Sequence, residues 1–380
     1  MPQYAHIIGW GKYLPVNILT NEDLAKTVDT NDAWIRERTG IGERRIASAK
    51  ETTAMMAIHA AEEALEVADI SPTEIDLVIV ATATPEYIFP ATACLVQDAI
   101  GAEHAGAFDL EAGCSGFMYA LSVATAMIRS DTYKTVLVIG SETLSRVVDW
   151  TDRGTCVLFG DGAGAFLMRG SQEPGGVLST VLGSDGSGGD LLIIPGGGSK
   201  NPSSAETVTT KMHTIKMNGR EVYRFATRVM ASASKQAAQK AGWQLENINL
   251  FVPHQANSRI ISYAAKAMNL ADDKVFVNVE KYGNTSAASI PIATCEALDA
   301  GKIKPGDNLL MVGFGAGLTW GACAVQWTAT PHKPTPTAVA VGRVRFGFGG
   351  LRSFLLRTLR FLDAMVSTLI EWIERKPPEA

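Results

Sequence analysis

The alternation of apolar and polar positions divides the chain into strands and helices. Near-continuous apolar runs at 75–84 (IDLVIVATAT) and 135–141 (TVLVIGS) predict strands that are buried on both faces. Residues 52–68 and 223–241 have the spacing of helices with one buried face. Strands that alternate with helices in this way predict an α/β fold. The same pattern predicts a hairpin at 155–168 and a strand at 275–279.

The pattern of the first half partly repeats from about residue 176. INLFVP at 248–253 echoes the first of these buried strands, and NLLMV at 308–312 echoes the second. A repeat that spans about half of the globular part has the length of a domain. We therefore predict two similar α/β halves, at 1–172 and 173–329.

The C-terminal segment has a composition of its own. Residues 330–350 are rich in Pro and Gly and predict a linker. Residues 351–376 predict an amphipathic helix, because their apolar positions fall on one side. This helix carries too many charges to span a bilayer, and its first half is basic. We expect it either to lie on a membrane surface or to pack on the globular part or on another subunit.

Charge and cysteine usage exclude several classes of protein. The net charge of −5 gives no sign of wholesale nucleic-acid binding. The five cysteines are scattered and never spaced C-x-x-C, which argues against a disulfide framework or a zinc site and favours a reducing, cytoplasmic location. We expect no metal. The N-terminus lacks the pattern of a signal peptide, and no apolar run is long enough to span a membrane.

The first candidate for chemistry is a cysteine at a strand-to-helix turn. A short strand at 106–110 is followed by AGCSGF and by a helix-forming stretch at 115–129, so that Cys114 lies at a helix start. The free N–H groups and partial positive charge of a helix start favour an anion, which predicts a thiol that ionises more easily than free cysteine. The alternative is that Cys114 is a small buried hydrophobe, as lone cysteines usually are.

Three signals of the second half each follow a predicted strand. His254 lies in VPHQAN, Asn284 lies in GNTSAAS, and the loop at 313–317 reads GFGAG. Because strand ends converge on one side of a layered α/β fold, packing of the halves about a pseudo-twofold axis would bring all three to Cys114. Taken singly, each has a structural alternative: a buried histidine, a turn asparagine and a tight glycine turn.

Together these motifs resemble those of the β-ketoacyl-acyl-carrier-protein synthase III family, condensing enzymes of the thiolase fold. The resemblance covers roughly 3–328, and its motifs in order are AGCSGF, VPHQAN, GNTSAAS and GFGAGLTWG. It implies a thiolase-like fold in which two similar α/β halves form a five-layered arrangement. The C-terminal amphipathic helix departs from the family, whose chains usually end near Trp327.

The resemblance implies a Cys-His-Asn site that needs no cofactor. Cys114 would take an acyl group from acetyl-CoA or a short or branched acyl-CoA, and the backbone N–H groups of Cys114 and Ala316 would stabilise the oxyanion. His254 and Asn284 would donate hydrogen bonds to the thioester carbonyl of malonyl-acyl-carrier protein while CO2 leaves. The product would be 3-oxoacyl-acyl-carrier protein, with which fatty-acid synthesis begins.

The resemblance also implies binding residues and a homodimer. Trp34 and Arg153 match the pair that holds the adenine of CoA, and Arg38 matches a basic residue near its phosphates. Arg220 departs from the asparagine of the family at a pantetheine contact. Phe89 matches a residue that reaches into the partner's acyl pocket. Acyl-carrier protein is acidic, and its docking residues would be Arg224, Gln255, Ala256, Asn257, Ser258, Arg259 and Lys266.

Other functions stay open at this point. One alternative is a polyketide or secondary-metabolite condensing enzyme or an acyl-CoA:acyl-carrier transacylase, and another is a non-catalytic acyl-binding scaffold. The GFGAG loop lacks the second cysteine of a biosynthetic thiolase, and Asn284 stands where elongating synthases have a second histidine. Glu111 is close in sequence to the nucleophile, where a hydroxymethylglutaryl-CoA synthase needs a base.

Overall fold

The structure is a computed structural model that describes residues 4–330, 355, 356, 358–368 and 370. Its strands are β1 (Tyr4–Tyr13), β2 (Ile18–Thr20), β3 (Glu43–Arg45), β4 (Leu77–Ala81), β5 (Gly106–Leu110), β6 (Thr135–Thr143), β7 (Asp161–Ser171), β8 (Gly176–Ser184), β9 (Leu192–Ile193), β10 (Lys216–Met217), β11 (Leu250–Pro253), β12 (Asn308–Gly315) and β13 (Thr319–Gln326). Its helices are α1 (Asn21–Leu24), α2 (Asp32–Thr39), α3 (Thr53–Ala68), α4 (Thr92–Ile100), α5 (Gly116–Arg129), α6 (Ala205–Thr209), α7 (Gly219–Lys240), α8 (Ser258–Ala267), α9 (Val279–Tyr282) and α10 (Ser289–Asp299). The predicted α/β class is confirmed.

The first large sheet has five strands in the order β1-β7-β6-β4-β5. β4 runs parallel to β5 and β6, while β7 is antiparallel to β6 and β1. Every residue of β4 and β6 is buried, as their apolar runs predict for strands covered on both faces. Ala81, the last residue of β4, pairs with Leu110, the last residue of β5, and with Gly140 near the end of β6. The carboxyl ends of these three strands therefore lie at the same edge of the sheet.

The second large sheet has four strands in the order β11-β12-β13-β8. β11 is parallel to β12, and β13 is antiparallel to both β12 and β8. All strands of the first large sheet precede residue 172, and all strands of the second follow residue 175. The assignment of 1–172 and 173–329 to two similar halves stays a prediction.

Helices on and between the two large sheets complete five layers. α3 and α4 pack on the outer face of the first sheet, α7 and α8 pack on the outer face of the second, and α5 and α10 lie between them. The central core joins Ile79 and Val138 to Val252 and Met311 through Phe117 of α5. Each such buried side chain stabilises the fold by ~1.5–3 kcal/mol. The predicted five-layered arrangement is confirmed.

Two predicted elements are wrong. Residues 155–168 do not form a hairpin, because β7 runs unbroken from Asp161 between β1 and β6. The glycines that suggest a turn lie inside this strand to let α10 approach: a Cβ on Gly164 would lie 2.8 Å from the Cβ of Pro291. In place of a strand at 275–279, Val275 makes a single bridge to Phe251.

The described part of the tail is helical. Residues 355, 356, 358–368 and 370 have helical backbone, and nearly all of them are exposed. The rest of the predicted helix at 351–376 and the predicted linker at 330–350, apart from Thr330, lie outside the described residues. Within the described part of the chain, no helix is both long enough and apolar enough to cross a membrane.

Candidate active site

The turn after β5 holds Cys114 against the glycine-rich loop that follows β12. A 3₁₀ turn at Gly113–Ser115 joins β5 to α5, and Gly113 has a φ of +53°, which glycine adopts without strain. A Cβ on Gly315 would lie 2.4 Å from the backbone nitrogen of Cys114. A Cβ on Gly113 would lie 2.8 Å from the backbone nitrogen of Ala316. Any side chain at position 113 or 315 would clash with the facing backbone. The two backbone segments can therefore pack this closely only because both residues are glycine.

The Cys114 thiol is a weak acid in this setting. The residue is 8% exposed, and burial raises the pKa of its thiol to about 12. The hydroxyl of Ser286 and the amide of Asn284 act in the opposite direction, while the carboxylate of Glu142 adds to the rise in pKa. This rise in the pKa is opposite to the easy ionisation that the position at a helix start predicts.

His254 is fixed through one ring nitrogen and leaves the other unpaired. The residue follows β11, and its N–H donates to the carbonyl of Val312 at 2.8 Å. Its Nδ1 lies 2.5 Å from the hydroxyl of Ser289, whereas its Nε2 is buried without a partner among the described residues. Burial lowers the pKa of the imidazole to about 3, so the ring is neutral near pH 7. The Ser289 oxygen also accepts the N–H of Gln255, so we assign its hydroxyl as the donor to Nδ1, which places the ring proton on Nε2.

Asn284, like His254, is fixed by backbone hydrogen bonds and by one atom of its side chain. Its N–H donates to the carbonyl of Leu158 at 2.8 Å, and its carbonyl accepts from Gly160 at 3.0 Å. Its side-chain Oδ1 accepts the N–H of Ser286 at 2.8 Å. This bond fixes the carboxamide and leaves its Nδ2 group as a donor on the cavity that Asn284 lines together with Cys114.

Two neighbouring cavities meet at Cys114. Cys114, His254 and Asn284 all line a cavity of about 90 Å³. A second cavity, of about 230 Å³, also reaches the thiol. Its apolar lining consists of Leu144, Phe159, Leu192, Ile193, Ile194 and Ile215. Among residues 4–330 and the described tail positions, no group of His, Cys, Asp or Glu is arranged to hold a metal ion.

Comparisons with known proteins identify the family. Models described as 3-oxoacyl-[acyl-carrier-protein (ACP)] synthase III and its C-terminal part match residues 108–186 and 238–327. The β-ketoacyl-[acyl-carrier-protein] synthase III of Natranaerobius thermophilus is 52% identical over 326 residues, which are 85% of this chain and 99% of the relative. The chain belongs to the synthase III family.

Solved structures of synthase III and related enzymes share the fold. The 3-oxoacyl-[acyl-carrier-protein] synthase III of Aquifex aeolicus VF5 is 50% identical with a TM-score of 0.79, over 85% of this chain and 100% of the other. The priming β-ketosynthase from the R1128 polyketide biosynthetic pathway is 35% identical with a TM-score of 0.81, over 87% and 98% of the two chains. The thiolase-like fold that the motifs imply is confirmed.

The three residues predicted to bind CoA in this synthase III lie together. The guanidinium carbons of Arg38 and Arg153 lie 4.9 and 5.0 Å from the centroid of the Trp34 ring. Arg153 also donates to the backbone carbonyl of Asp29 at 2.8 Å. Both guanidinium groups are in cation–π contact with the indole.

The residues predicted to bind acyl-carrier protein separate into a surface group and one buried residue. Arg224, Arg259 and Lys266 are exposed, and Ala256, Asn257 and Ser258 are half-buried. Gln255 is 1% exposed. Its amide donates to the carbonyls of Pro253 and Phe276 and accepts the N–H of Asn278. The structure thus removes Gln255 from the predicted docking surface, because its side chain braces the loop before α9.

The carboxyl of Glu111 faces its own turn. Its Oε1 accepts the N–H of Gly113 at 2.9 Å, and the residue lines the larger cavity together with Cys114. The carboxylate thereby satisfies one of the free N–H groups at the start of the 3₁₀ turn. This contact gives Glu111 a structural role in holding the turn that carries the thiol.

Sequence reasoning missed a buried carboxyl beside the site. Glu142 is fully buried near the end of β6, where it accepts the hydroxyls of Thr84 at 2.6 Å and Thr82 at 3.2 Å. Burial raises the pKa of this carboxyl to about 7. The signal is present in the sequence, because the apolar run at 135–141 leads directly into a glutamate that the strand also covers.

Proposed function

We propose that the chain condenses an acyl-CoA starter, acetyl-CoA or a short or branched acyl-CoA, with malonyl-acyl-carrier protein and releases CO2. The product is 3-oxoacyl-acyl-carrier protein, with which fatty-acid synthesis begins. The observation that carries this proposal is a pair of fixed donors, His254 Nε2 and Asn284 Nδ2, that line one cavity with the Cys114 thiol. Relatives that are about half identical bear the name of this activity.

The first half-reaction is acyl transfer to Cys114. The sulfur attacks the thioester carbonyl, the bond between the acyl carbon and the CoA sulfur breaks, and the acyl group stays on the enzyme. The backbone N–H groups of Cys114 and Ala316, which belong to the two segments that the glycines let pack closely, would stabilise the oxyanion. One such donor contributes ~2.7–4 kcal/mol in other enzymes. The larger, apolar cavity would receive the acyl chain.

The second half-reaction is decarboxylation followed by carbon–carbon bond formation. Loss of CO2 from the malonyl group leaves an electron pair that is delocalised onto the thioester oxygen. His254 and Asn284 suit this step because both are neutral and both offer an N–H. No proton has to be removed from the substrate, so a base is not needed here. The enolate carbon then attacks the acyl carbon on Cys114 and releases the sulfur.

No cofactor is part of this proposal. The two thioesters supply the leaving groups, and the release of CO2 supplies the carbanion, so that hydrogen-bond donors and a thiol complete the chemistry. A reducing, cytoplasmic location is also part of it, because all five cysteines are free thiols.

The decisive experiment supplies a panel of acyl-CoA compounds together with malonyl-acyl-carrier protein. We expect stoichiometric CO2 and 3-oxoacyl-carrier protein, and no 3-oxoacyl-carrier protein from the Cys114→Ser variant. Acyl groups transferred to the carrier without CO2 would instead identify a transacylase. Binding of acyl-CoA without turnover would identify a scaffold.

A polyketide starter enzyme is the second candidate. The observation that favours this second candidate is the similarity to the R1128 priming β-ketosynthase, which is 35% identical over 98% of that chain. The two candidates differ in the carrier protein that accepts the product. Turnover with carrier proteins of fatty-acid and of polyketide synthesis, compared at equal concentration, decides between them by the ratio of kcat/KM.

The segment around Phe89 supports a homodimer as part of the proposal. Tyr87, Ile88 and Phe89 are 58%, 87% and 85% exposed, and three adjacent exposed apolar side chains are unusual on a monomer. We expect light scattering to give the mass of two chains and the Phe89→Glu variant to give that of one. A monomeric wild type at micromolar concentration would exclude the dimer.

The tail helix supports contact with a membrane surface. Many of its described apolar residues are exposed: Leu359, Phe361 and Val366 are 60%, 65% and 54% exposed. Basic residues in its first half favour anionic lipid. A fusion of residues 331–380 to a carrier domain should float with anionic liposomes and not with neutral ones. Absence from both floating fractions would favour contact with another subunit.

A further inference from the structure

A buried arginine lies behind the part of the site that carries Asn284. Arg44 is the middle residue of β3, and it is buried while its neighbours in the strand are half-buried. It is 0% exposed, and the arginine ion pairs among the described residues do not include it. Burial lowers the pKa of its guanidinium to about 10, so the group stays charged near pH 7. An apolar side chain would fill this space at a lower desolvation cost, so packing alone does not account for the charge.

The guanidinium of Arg44 joins two separate segments of the chain. Its Nη1 donates to the side-chain Oδ1 of Asn21 at 2.9 Å and to the carbonyl of Leu19 at 3.1 Å. Its Nη2 donates to the carbonyl of Val157 at 2.8 Å. The guanidinium is rigid and planar, so its N–H groups point in fixed directions. These three hydrogen bonds therefore fix the segment 157–160 relative to the start of α1.

The segment 157–160 is also the one that holds the backbone of Asn284. Leu158, the residue directly after the acceptor of Arg44, accepts the N–H of Asn284, and Gly160 donates to the Asn284 carbonyl. These two bonds make the parallel bridge between Phe159 and Asn284. A displacement of the segment would therefore carry the backbone of Asn284 with it.

Arg44 also packs directly against the backbone on both sides of this bridge. A Cβ on Gly160 would lie 3.1 Å from the Cβ of Arg44, and a Cβ on Gly283 would lie 3.3 Å from the same atom. Gly283 immediately precedes Asn284, and its φ of +62° suits glycine. The side chain of Arg44 thus starts between the two segments and is hydrogen-bonded to one of them.

We propose that Arg44 is a positioning residue for condensation: it fixes the segment 157–160 and, through it, the Asn284 carboxamide that donates to the thioester oxygen of malonyl-acyl-carrier protein. The inference rests on the proposed function and deepens it, because it names the residue that keeps one of the two donors in place. Misplacement of a catalytic group by about 1 Å can cost about 100-fold in rate.

The other parts of the site have supports of their own. His254 is fixed through the Ser289 hydroxyl, and the backbone of Cys114 packs against Gly315. The hydrogen bonds of Arg44 reach neither of these supports. Loss of Arg44 should therefore affect the second half-reaction, in which Asn284 acts, far more than the first.

The test measures the two half-reactions separately on full-length Arg44→Met and Arg44→Lys. Single-turnover labelling of Cys114 by saturating acetyl-CoA gives acyl transfer, and formation of 3-oxoacyl-carrier protein by the acetylated enzyme gives condensation. We expect Arg44→Met to lower condensation by about 100-fold and to leave acyl transfer within about threefold. Arg44→Lys keeps the charge but not the planar group, and it should lose about tenfold in condensation.

A double-mutant cycle tests whether Arg44 acts through Asn284. Asn284→Ala alone should lower condensation by about 100-fold or more, the effect of one lost donor. Adding Arg44→Lys to Asn284→Ala should lower the rate by less than about twofold further, because the group that Arg44 positions is already gone. A general structural role would instead make the two losses multiply.

Ile100→Ala is the control for a general loss of stability. Ile100 is 0% exposed like Arg44, but it belongs to the core between α3, α4 and the outer face of the first large sheet. All variants are compared at a temperature at which circular dichroism shows them fully folded. Ile100→Ala should then keep the wild-type rates of both half-reactions.

Arg44→Lys decides the question if Arg44→Met does not fold. The inference fails if Arg44→Lys condenses at the wild-type rate, if it slows both half-reactions by the same factor, or if its loss multiplies with that of Asn284→Ala. Failure of the proposed function is different, because it would appear as a wild-type enzyme that is acylated on Cys114 but releases no CO2 with malonyl-acyl-carrier protein.

Discussion

Two side chains of the site are fixed through the atom that does not face the substrate. Ser289 holds Nδ1 of His254, and the N–H of Ser286 holds Oδ1 of Asn284. Each contact uses up the acceptor of a group that has both an acceptor and a donor, so that the donor is presented to the cavity. The sequence supplies the residue types, but only the structure shows which atom of each is committed.

Removal of the Ser289 hydroxyl tests this arrangement. In Ser289→Ala the imidazole loses the partner that keeps its proton on Nε2, and the neutral ring can then present an acceptor. We expect condensation to fall by about 10- to 100-fold, less than the ~100- to 1,000-fold of a donor that is removed outright, because the ring itself stays in place. Acyl transfer to Cys114 should stay within about twofold, because His254 acts in the second step. Release of labelled CO2 and labelling of Cys114 measure the two steps, and equal losses would contradict the assignment.

Acid stability reports on the burial of His254. The pKa of the folded residue is about 3 against 6.5 for an unperturbed histidine, so between these values the unfolded chain binds a proton that the folded chain does not. The contribution of His254 to the free energy of unfolding therefore falls as the pH drops below 6.5. From pH 7 to pH 5 the free energy of unfolding of the wild type should fall by ~2 kcal/mol more than that of His254→Asn. Urea unfolding at both pH values measures the difference, and parallel losses would count against a buried neutral ring.

At the scale of elements, glycines led to one correct prediction, the turn from β5 into α5, and to one wrong prediction, the hairpin at 155–168. AGCSGF correctly predicts a turn from β5 into α5, since Gly113 needs a positive φ. The glycines at the start of β7 suggest a hairpin turn, but they serve the close approach of α10. Pattern alone does not distinguish the two uses, because one is local and the other depends on a helix more than a hundred residues further along the chain.

The contact between Gly315 and Cys114 carries a prediction for the end of β12. A Cβ at Gly315 would lie 2.4 Å from the Cys114 nitrogen and 3.1 Å from its Cα, so Gly315→Ala must push the two backbones apart. We expect acyl transfer to fall by at least about 100-fold, the effect of one lost oxyanion donor. Gly186→Ala is the matched control, because a Cβ there meets nothing within 4 Å. Equal activity of the two variants would rule out a role for this contact.

α7 and α8 carry the basic residues predicted to meet the acidic carrier protein. Arg259 is exposed near the start of α8, where its guanidinium carbon lies 5.6 Å from the centroid of Tyr223 on α7. Arg259→Glu should raise the KM for malonyl-acyl-carrier protein by about tenfold and leave acyl-CoA transfer unchanged, because only the carrier meets this surface. Lys235→Glu, ~16 Å further along α7 than Arg224, is the control. A similar loss in both half-reactions would show that the docking assignment is wrong.

At the scale of the molecule, the site is a product of how the two large sheets are stacked. Cys114 follows the first sheet, while His254 and the glycine loop follow strands of the second, and α5 and α10 lie between. The repeat in the sequence predicts that these strand ends converge. The apolar cavity and Glu142 could not be placed in the same way, because their surroundings come from segments far apart in the chain.

The end of the globular part yields a prediction for the whole chain. Trp327 is 1% exposed and lies 5.3 Å from Trp10, ring to ring, and its carbonyl accepts the N–H of Gly306. The match to the synthase III of Natranaerobius thermophilus takes in 99% of that relative and 85% of this chain, so about 15% of this chain has no counterpart in it.

A chain that ends at Thr330 should therefore keep the Tm and the condensation activity of the full chain and lose flotation with anionic liposomes. A chain that ends at Val325 lacks the buried tryptophan, and its free energy of unfolding should fall by at least ~3 kcal/mol. If the chain ending at Thr330 loses activity or stability as well, the tail packs on the enzyme and the lipid surface is not its partner.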